Sequence, residues 1–302
     1  MKRIGSTSKA THLFVVLITL CWLGCVESPS SDDKNDQGED ISVNGDNAAT
    51  GSIIKLEGEI FSIPSPVQTA ILVRKSNLPY NEELLNPNSN EQKYVNRFQK
   101  ALNLGVYGAD LAYLSNFNNS QLKLNYFKTV EQLSSDLNIR EHINQDLLDR
   151  FASNVDNPDS LHVLNAELFR SADRYLKESQ ENEIASLILV GGWVEGMHIA
   201  VKSATEMELF RKRVGEQQLS VSSMVNLLKN YDSPQVQQLR QKFIDLQSAY
   251  EGLSSSYTYV KPITDAAERV TYVNSKSSVE MSDEQLARIT KEVESLRNFI
   301  IQ

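Results

Sequence analysis

Along most of the chain, apolar side chains recur every three or four positions, and short clusters of Pro, Asn, Gly and Ser separate the runs. That spacing predicts amphipathic helices packed on a common core. Ser65-Pro66-Val67-Gln68 places Ser at an N-cap, Pro at the first helical position and Gln at the third, which opens a helix over 66–76. From Glu91, the positions Tyr94, Val95, Phe98, Ala101 and Leu102 predict a helix that Gly105 and Gly108 interrupt and that resumes through Tyr107, Leu111, Leu114 and Phe117. Leu122, Tyr126, Val130, Leu133 and Leu137 form the next stripe. A helix over 140–155 ends before Pro158, and Leu161, Leu164, Leu168 and Tyr175 mark its successor. Residues 182–204 are the most apolar stretch downstream of the N-terminus, and 216–231 and 234–253 predict two more helices. Ser282-Asp283-Glu284-Gln285 is a second capping box, followed by Leu286, Ile289, Val293, Leu296 and Ile300.

Little of the sequence reads as strand. Residues 52–63 predict one short strand or extended arm, and 255–280 an irregular crossing with a helical turn near 263–273. Whether these two segments pair as a small sheet stays open. The expected fold class is all-α, a bundle of eight or nine helices with minimal strand over residues 51–302. No repeat period marks a solenoid.

The N-terminus has a different pattern. Lys2, Arg3 and Lys9 precede an apolar run at 13–23, which is too short for a bilayer span of roughly 20 residues. Leu23-Gly24-Cys25 then reads as a lipobox, with residues 1–24 as a lipoprotein signal peptide and Cys25 as the lipidated new N-terminus. The thiol takes a diacylglycerol thioether and the freed amine a further acyl chain such as palmitate; two or three chains anchor stably where one is marginal. Cys21 is the rival position, but Leu20 before it is a poorer small residue than Gly24. Residues 25–50, rich in Ser, Asp, Asn and Gly, are expected to be a disordered acidic tether.

Composition narrows the partners. The chain has 30 Lys+Arg, 39 Asp+Glu and a net charge of −9, and loss of the three basic signal residues takes this to −12. An acidic chain outside the cytoplasm is a poor nucleic-acid binder and a weak ligand for anionic lipid. Both cysteines, Cys21 and Cys25, lie at the signal end, so the mature domain is expected to be held without disulfides.

No phosphate loop, Gly-x-Ser-x-Gly elbow, His-Glu-x-x-His or Cys pair occurs. No cofactor and no metal site is expected. Two constellations stand out. Trp193, Glu195 and His198 lie in a Gly-rich helical stretch where Gly192, Gly196, Ala200 and Ala204 form a small-residue stripe. Each Gly costs roughly 1 kcal/mol in a helix, which either close approach of a neighbouring helix or a ligand against bare backbone would offset. Glu195 and His198 are three apart, like one element of a di-iron carboxylate bundle, but the only near match elsewhere, Asp159-x-x-His162, sits at a helix start where Asp simply caps. His142 sits beside Glu141 at another helix start. Tyr107, Asp110 and Tyr113 are also three apart, in an apolar helix where a buried Asp needs a hydrogen bond.

Ser31-Asp32-Asp33 resembles the surface-export signal of Bacteroides and Flavobacterium lipoproteins, and Val26 after Cys25 is compatible with the outer membrane. Asp159-Ser160-Leu161 resembles an O-glycosylation site of the same bacteria. The stretch Ala101 to Tyr113, with Gly191 to Gly196, resembles a group of uncharacterised helical lipoproteins of the Bacteroidota. That likeness implies an envelope location and a helical fold over about 60–300, and carries no activity with it. The leading expectation is therefore a membrane-anchored envelope lipoprotein that binds a protein partner or small ligand, in a groove along 182–204. The alternatives are a metal-binding or enzymatic bundle using Glu195 and His198, and a structural envelope protein.

Overall fold

A computed structural model describes residues 52–56, 59–63, 65–205, 207–258, 263–265, 270–272 and 276–302. The expected signal peptide, Cys25 and the expected tether lie outside the described residues.

The fold is all-α. Ten α-helices are present among the described residues: α1 (Pro66–Lys75), α2 (Arg97–Leu114), α3 (Ser120–Asp136), α4 (Gln145–Ser153), α5 (Pro158–Glu178), α6 (Asn182–Ala204), α7 (Glu208–Gly215), α8 (Gln218–Leu228), α9 (Pro234–Ala249) and α10 (Asp283–Ile301). Local chemistry starts most of them. Ser65, Asn119, Asn144, Asn157 and Ser233 cap α1, α3, α4, α5 and α9 with their side-chain oxygens, and Pro occupies the first turn of α1, α5 and α9. Full capping boxes open α2 (Asn96 with Gln99) and α10 (Ser282 with Gln285). At the other end of α3, Asn138 takes φ 61°. The Ile139 N–H reaches the Ser134 carbonyl at 2.8 Å and the Asn138 N–H reaches Ser135 at 2.9 Å, which terminates the helix in a Schellman motif.

α6 is apolar on every side and is the central helix. It is long and apolar enough to cross a membrane, yet 89% of that stretch is buried inside the fold. It packs on α2, α10, α7, α1 and α5. Among the described residues no exposed apolar groove runs along 182–204, because neighbouring helices cover most of that surface. At the α2–α6 crossing the two backbones touch. A Cβ on Gly191 would strike the Leu102 carbonyl oxygen; one on Gly105 would strike the Ile188 carbonyl oxygen and sit 2.6 Å from the Gly192 nitrogen. Close approach of a neighbouring helix is what offsets the cost of these glycines.

Several expected boundaries shift. Gly105 and Gly108 do not interrupt α2, which runs unbroken. The segment from Glu91 is a 3-10 turn, Asn88–Lys93, and α2 begins at the Asn96 cap. The expected helix over 140–155 starts later, at Gln145. The expected helix over 216–231 is α8 alone, preceded by the separate α7.

Residues 52–63 form a ladder of their own, β1 (Ser52–Leu56) antiparallel to β2 (Glu59–Ile63). Further along, β3 (Ser254–Thr258) pairs with β6 (Lys276–Glu280), and β4 (Ile263–Asp265) with β5 (Val270–Tyr272). Where the segment expected to hold a helical turn near 263–273 is described, at 263–265 and 270–272, it is strand, in keeping with the β-branched residues Ile263, Thr264, Val270 and Thr271; its other residues lie outside the described ones. Among the described residues no ladder joins 52–63 to 254–280.

Candidate functional site

The connection between α1 and α2, residues 76–96, is an irregular strap with a 3-10 turn at Glu82–Leu84 and the second at Asn88–Lys93. Irregular backbone laid on a core must find partners for its N–H and C=O groups. One face of α2 supplies them. Tyr107 donates its hydroxyl to the Pro87 carbonyl at 2.9 Å, Asp110 Oδ2 accepts the Asn86 N–H at 3.1 Å, and the Tyr113 hydroxyl oxygen accepts the Asn81 N–H at 2.9 Å. Positions 107, 110 and 113 thus meet 87, 86 and 81: the strap runs antiparallel to the helix, and the three-residue spacing is what lets one face hold it. Asn86, although it opens what reads as a turn, is fully buried. Its amide donates to the Tyr94 hydroxyl at 2.9 Å, and its carbonyl accepts the Tyr126 hydroxyl at 2.9 Å. Burial pushes the Tyr94, Tyr107, Tyr113 and Tyr126 hydroxyls up from the usual tyrosine value, so all four remain donors at neutral pH.

Beneath the strap lies a buried ion pair. Glu195 of α6 accepts from Arg297 of α10 through two parallel bonds, Nε to Oε2 and Nη2 to Oε1, each 2.7 Å. Arg297 Nη2 also donates to the Leu84 carbonyl at 3.2 Å, tying the pair to the strap. Asp110 completes the group. Its Oδ2 holds the Asn86 N–H, while its Oδ1 is buried without a hydrogen-bond partner. Burial, reinforced by the Glu195 charge and offset in part by Arg297, raises Asp110 well above the usual carboxylate range, which favours its protonated form.

His198, one helical turn from Glu195, is 5% exposed, and neither ring nitrogen has a partner. Desolvation, with the nearby Arg297 and Lys202 charges, pushes it down to about 3, so the ring is neutral. It lies at the floor of an open cleft of about 370 Å³, together with the buried Leu84 and Arg297. Exposed Asn81 and Glu83 of the strap form one rim; Lys202 of α6, with Glu294 and Asn298 of α10, forms the other. Lys202 and Glu294 are an ion pair.

The six expected ligand-binding residues do not form one site. Tyr107, Asp110 and Tyr113 clamp the strap, with Asp110 also beside the Glu195 charge. Glu195 is locked to Arg297, and His198 lines the open cleft. Trp193 lies roughly 200° around α6 from Glu195. It donates Nε1–H to Gln217 at 3.2 Å and packs against Phe243, away from the other five. Elsewhere, His162 is buried and contacts Asn116 at 2.9 Å, and Asp159 pairs with Arg74, while His142 stacks on Tyr175. No group of three or more His, Cys, Asp or Glu positioned for a metal occurs among the described residues. Sequence reasoning missed Arg297, Asn81, Asn86 and Lys202. The one local signal was Arg297 itself, a charge set between the core positions Leu296 and Ile300.

Compared with protein-family models, curated proteins and solved structures, the chain shows no match to any of the three.

Proposed function

We propose that this protein is a lipid-anchored lipoprotein of the outer membrane, akin to helical Bacteroidota lipoproteins, whose helical domain binds a small polar molecule in the cleft between strap, α6 and α10. The anchor rests on the signal pattern ending at Cys25 and the acidic tether after it. The binding reading is carried by one observation: His198 lies buried at the cleft floor with both ring nitrogens unpartnered. An unsatisfied buried polar atom costs about 1–3 kcal/mol, and a ligand that supplies the missing hydrogen bonds recovers that cost. At about 370 Å³ the cleft falls in the range of roughly 300–1,000 Å³ that small-molecule sites occupy.

An enzymatic or metal-binding use of Glu195 and His198 has less support. Both Glu195 oxygens already accept from Arg297, and Glu195 is fully buried.

The test follows the His198 imidazole nitrogens by NMR in the full-length chain while amino acids, nucleosides, polyamines and sugars are added in turn. A saturable shift with at least one class, lost in His198→Phe, supports the reading. No response to any class sinks it.

A further inference from the structure

We propose that the ligand of this cleft is a neutral, hydroxyl-rich molecule of the sugar class; this rests on the binding reading above. The first argument is charge. Lys202 already has its countercharge in Glu294, and Arg297 has Glu195. An anionic ligand would have to break one of these pairs or add an uncompensated charge beside it, and opening the buried pair is especially costly. Glu83, the remaining rim charge, is exposed to water, where pairing with a cationic ligand gains little, and it serves as an acceptor for hydroxyls.

The second argument is the donor and acceptor pattern. A neutral imidazole presents one N–H and one lone pair. Only a group that both accepts and donates satisfies it without knowledge of the tautomer, and a hydroxyl is such a group. The rim has the same mixed character. Asn81 uses its Oδ1 to cap the Glu82–Leu84 turn at 2.9 Å, which leaves its NH₂ as a donor. The exposed Asn298 amide offers both functions, and the Glu83 and Glu294 carboxylates accept from hydroxyls. The opening thus carries both donors and acceptors, as a hydroxyl-rich ligand requires. The third argument is Leu84, whose apolar side chain at the floor suits the C–H face of such a ring.

The experiment uses three probes with one ring and different charge: glucose, glucuronate and glucosamine. Galactose, mannose and N-acetylglucosamine widen the neutral set. Binding to the full-length chain is read by isothermal titration and by the His198 NMR signals. The expected result is binding of at least one neutral sugar, with its charged analogues at least tenfold weaker. His198→Phe, which keeps the ring shape, should lose tenfold or more. Asn298→Ala, at an exposed position where folding is not at issue, should weaken binding severalfold. Preference for glucuronate, glucosamine or an amino acid, still lost in His198→Phe, overturns the neutral class and leaves the cleft a binding site. Absence of any neutral-sugar binding at millimolar concentration overturns the inference, and silence of His198 toward every class overturns the binding reading with it.

Discussion

Replacing Asp110 by Asn should stabilise this protein at neutral pH, although it removes the ionisable group from a fully buried polar cluster. Asp110 accepts the Asn86 N–H through Oδ2, its Oδ1 is buried without a partner, and burial beside the Glu195 charge raises it well above the usual carboxylate range. Asparagine keeps the acceptor for the Asn86 N–H in its Oδ1 and puts an NH₂ donor in place of the unpartnered oxygen. What it removes is the work of keeping a carboxyl protonated. A carboxyl whose folded pKa is raised binds a proton in the native state that the unfolded chain releases, so its stabilising contribution is fully present below the ordinary value of ~3.9 and is lost as pH rises toward the folded value. One proton gives a slope of about 1.4 kcal/mol per pH unit across that window. The advantage of Asn over Asp should therefore grow at up to that rate above pH ~4. The assay is urea unfolding, followed by circular dichroism at a series of pH values, of the whole chain with and without the substitution in a Cys25→Ala background that needs no detergent. The difference between the two proteins isolates Asp110, because His162 and His198, pushed down to about 4 and about 3, act with the opposite sign, costing stability as pH falls below ~6.5. A pH-independent difference, or an Asn variant less stable than wild type at pH 7, would show that Asp110 is ionised and would refute the assignment of its proton.

Arg297→Met should cost about 3–5 kcal/mol, because it leaves the Glu195 charge buried without its partner; thermal melting should fall by roughly 2–4 °C for each kcal/mol. Glu195→Gln should cost less, since Asp110 then loses the neighbouring negative charge and becomes the countercharge of Arg297; equal costs would show that Asp110 does not take over that role. Gly191→Ala should destabilise by about 3 kcal/mol, the upper end for overpacking, because the added methyl meets the backbone of α2 rather than a movable side chain, and a stability equal to wild type in urea would disprove the backbone contact. Cys25→Ala should abolish incorporation of labelled palmitate and release the chain from the membrane fraction, whereas retained label would place the lipid at Cys21 or elsewhere.

The helices were legible in the sequence wherever a cap and an apolar stripe coincided. Ser282 with Gln285 and Pro158 after Asn157 are local chemistry, settled within a few residues, and α5 and α10 lie where such signals put them, while α6 lies where the most apolar stretch, 182–204, put it. The all-α class followed from the same stripes, since three- and four-residue spacing needs only the geometry of one helix. Local reasoning failed where the deciding term was elsewhere in the chain. Gly105 reads as a break because the helical cost of glycine is a property of one residue, whereas the contact that offsets it is made with α6. The eight-residue α7 carries too little apolar pattern of its own. Asn86 looks like a turn residue until Tyr94, Asp110 and Tyr126 surround it. Of the candidate site, Glu195, His198 and Asp110 were visible as polar residues in apolar helices, a conflict that called for partners. Their roles were not visible, because Arg297 stands 102 positions from Glu195 and no periodicity links them. How far the Asp110 carboxyl is raised, and which polar residue is left without a partner at the cleft floor, depended on how α2, α6 and α10 meet. Burial and the distance between charges are properties of that packing, and they decide both.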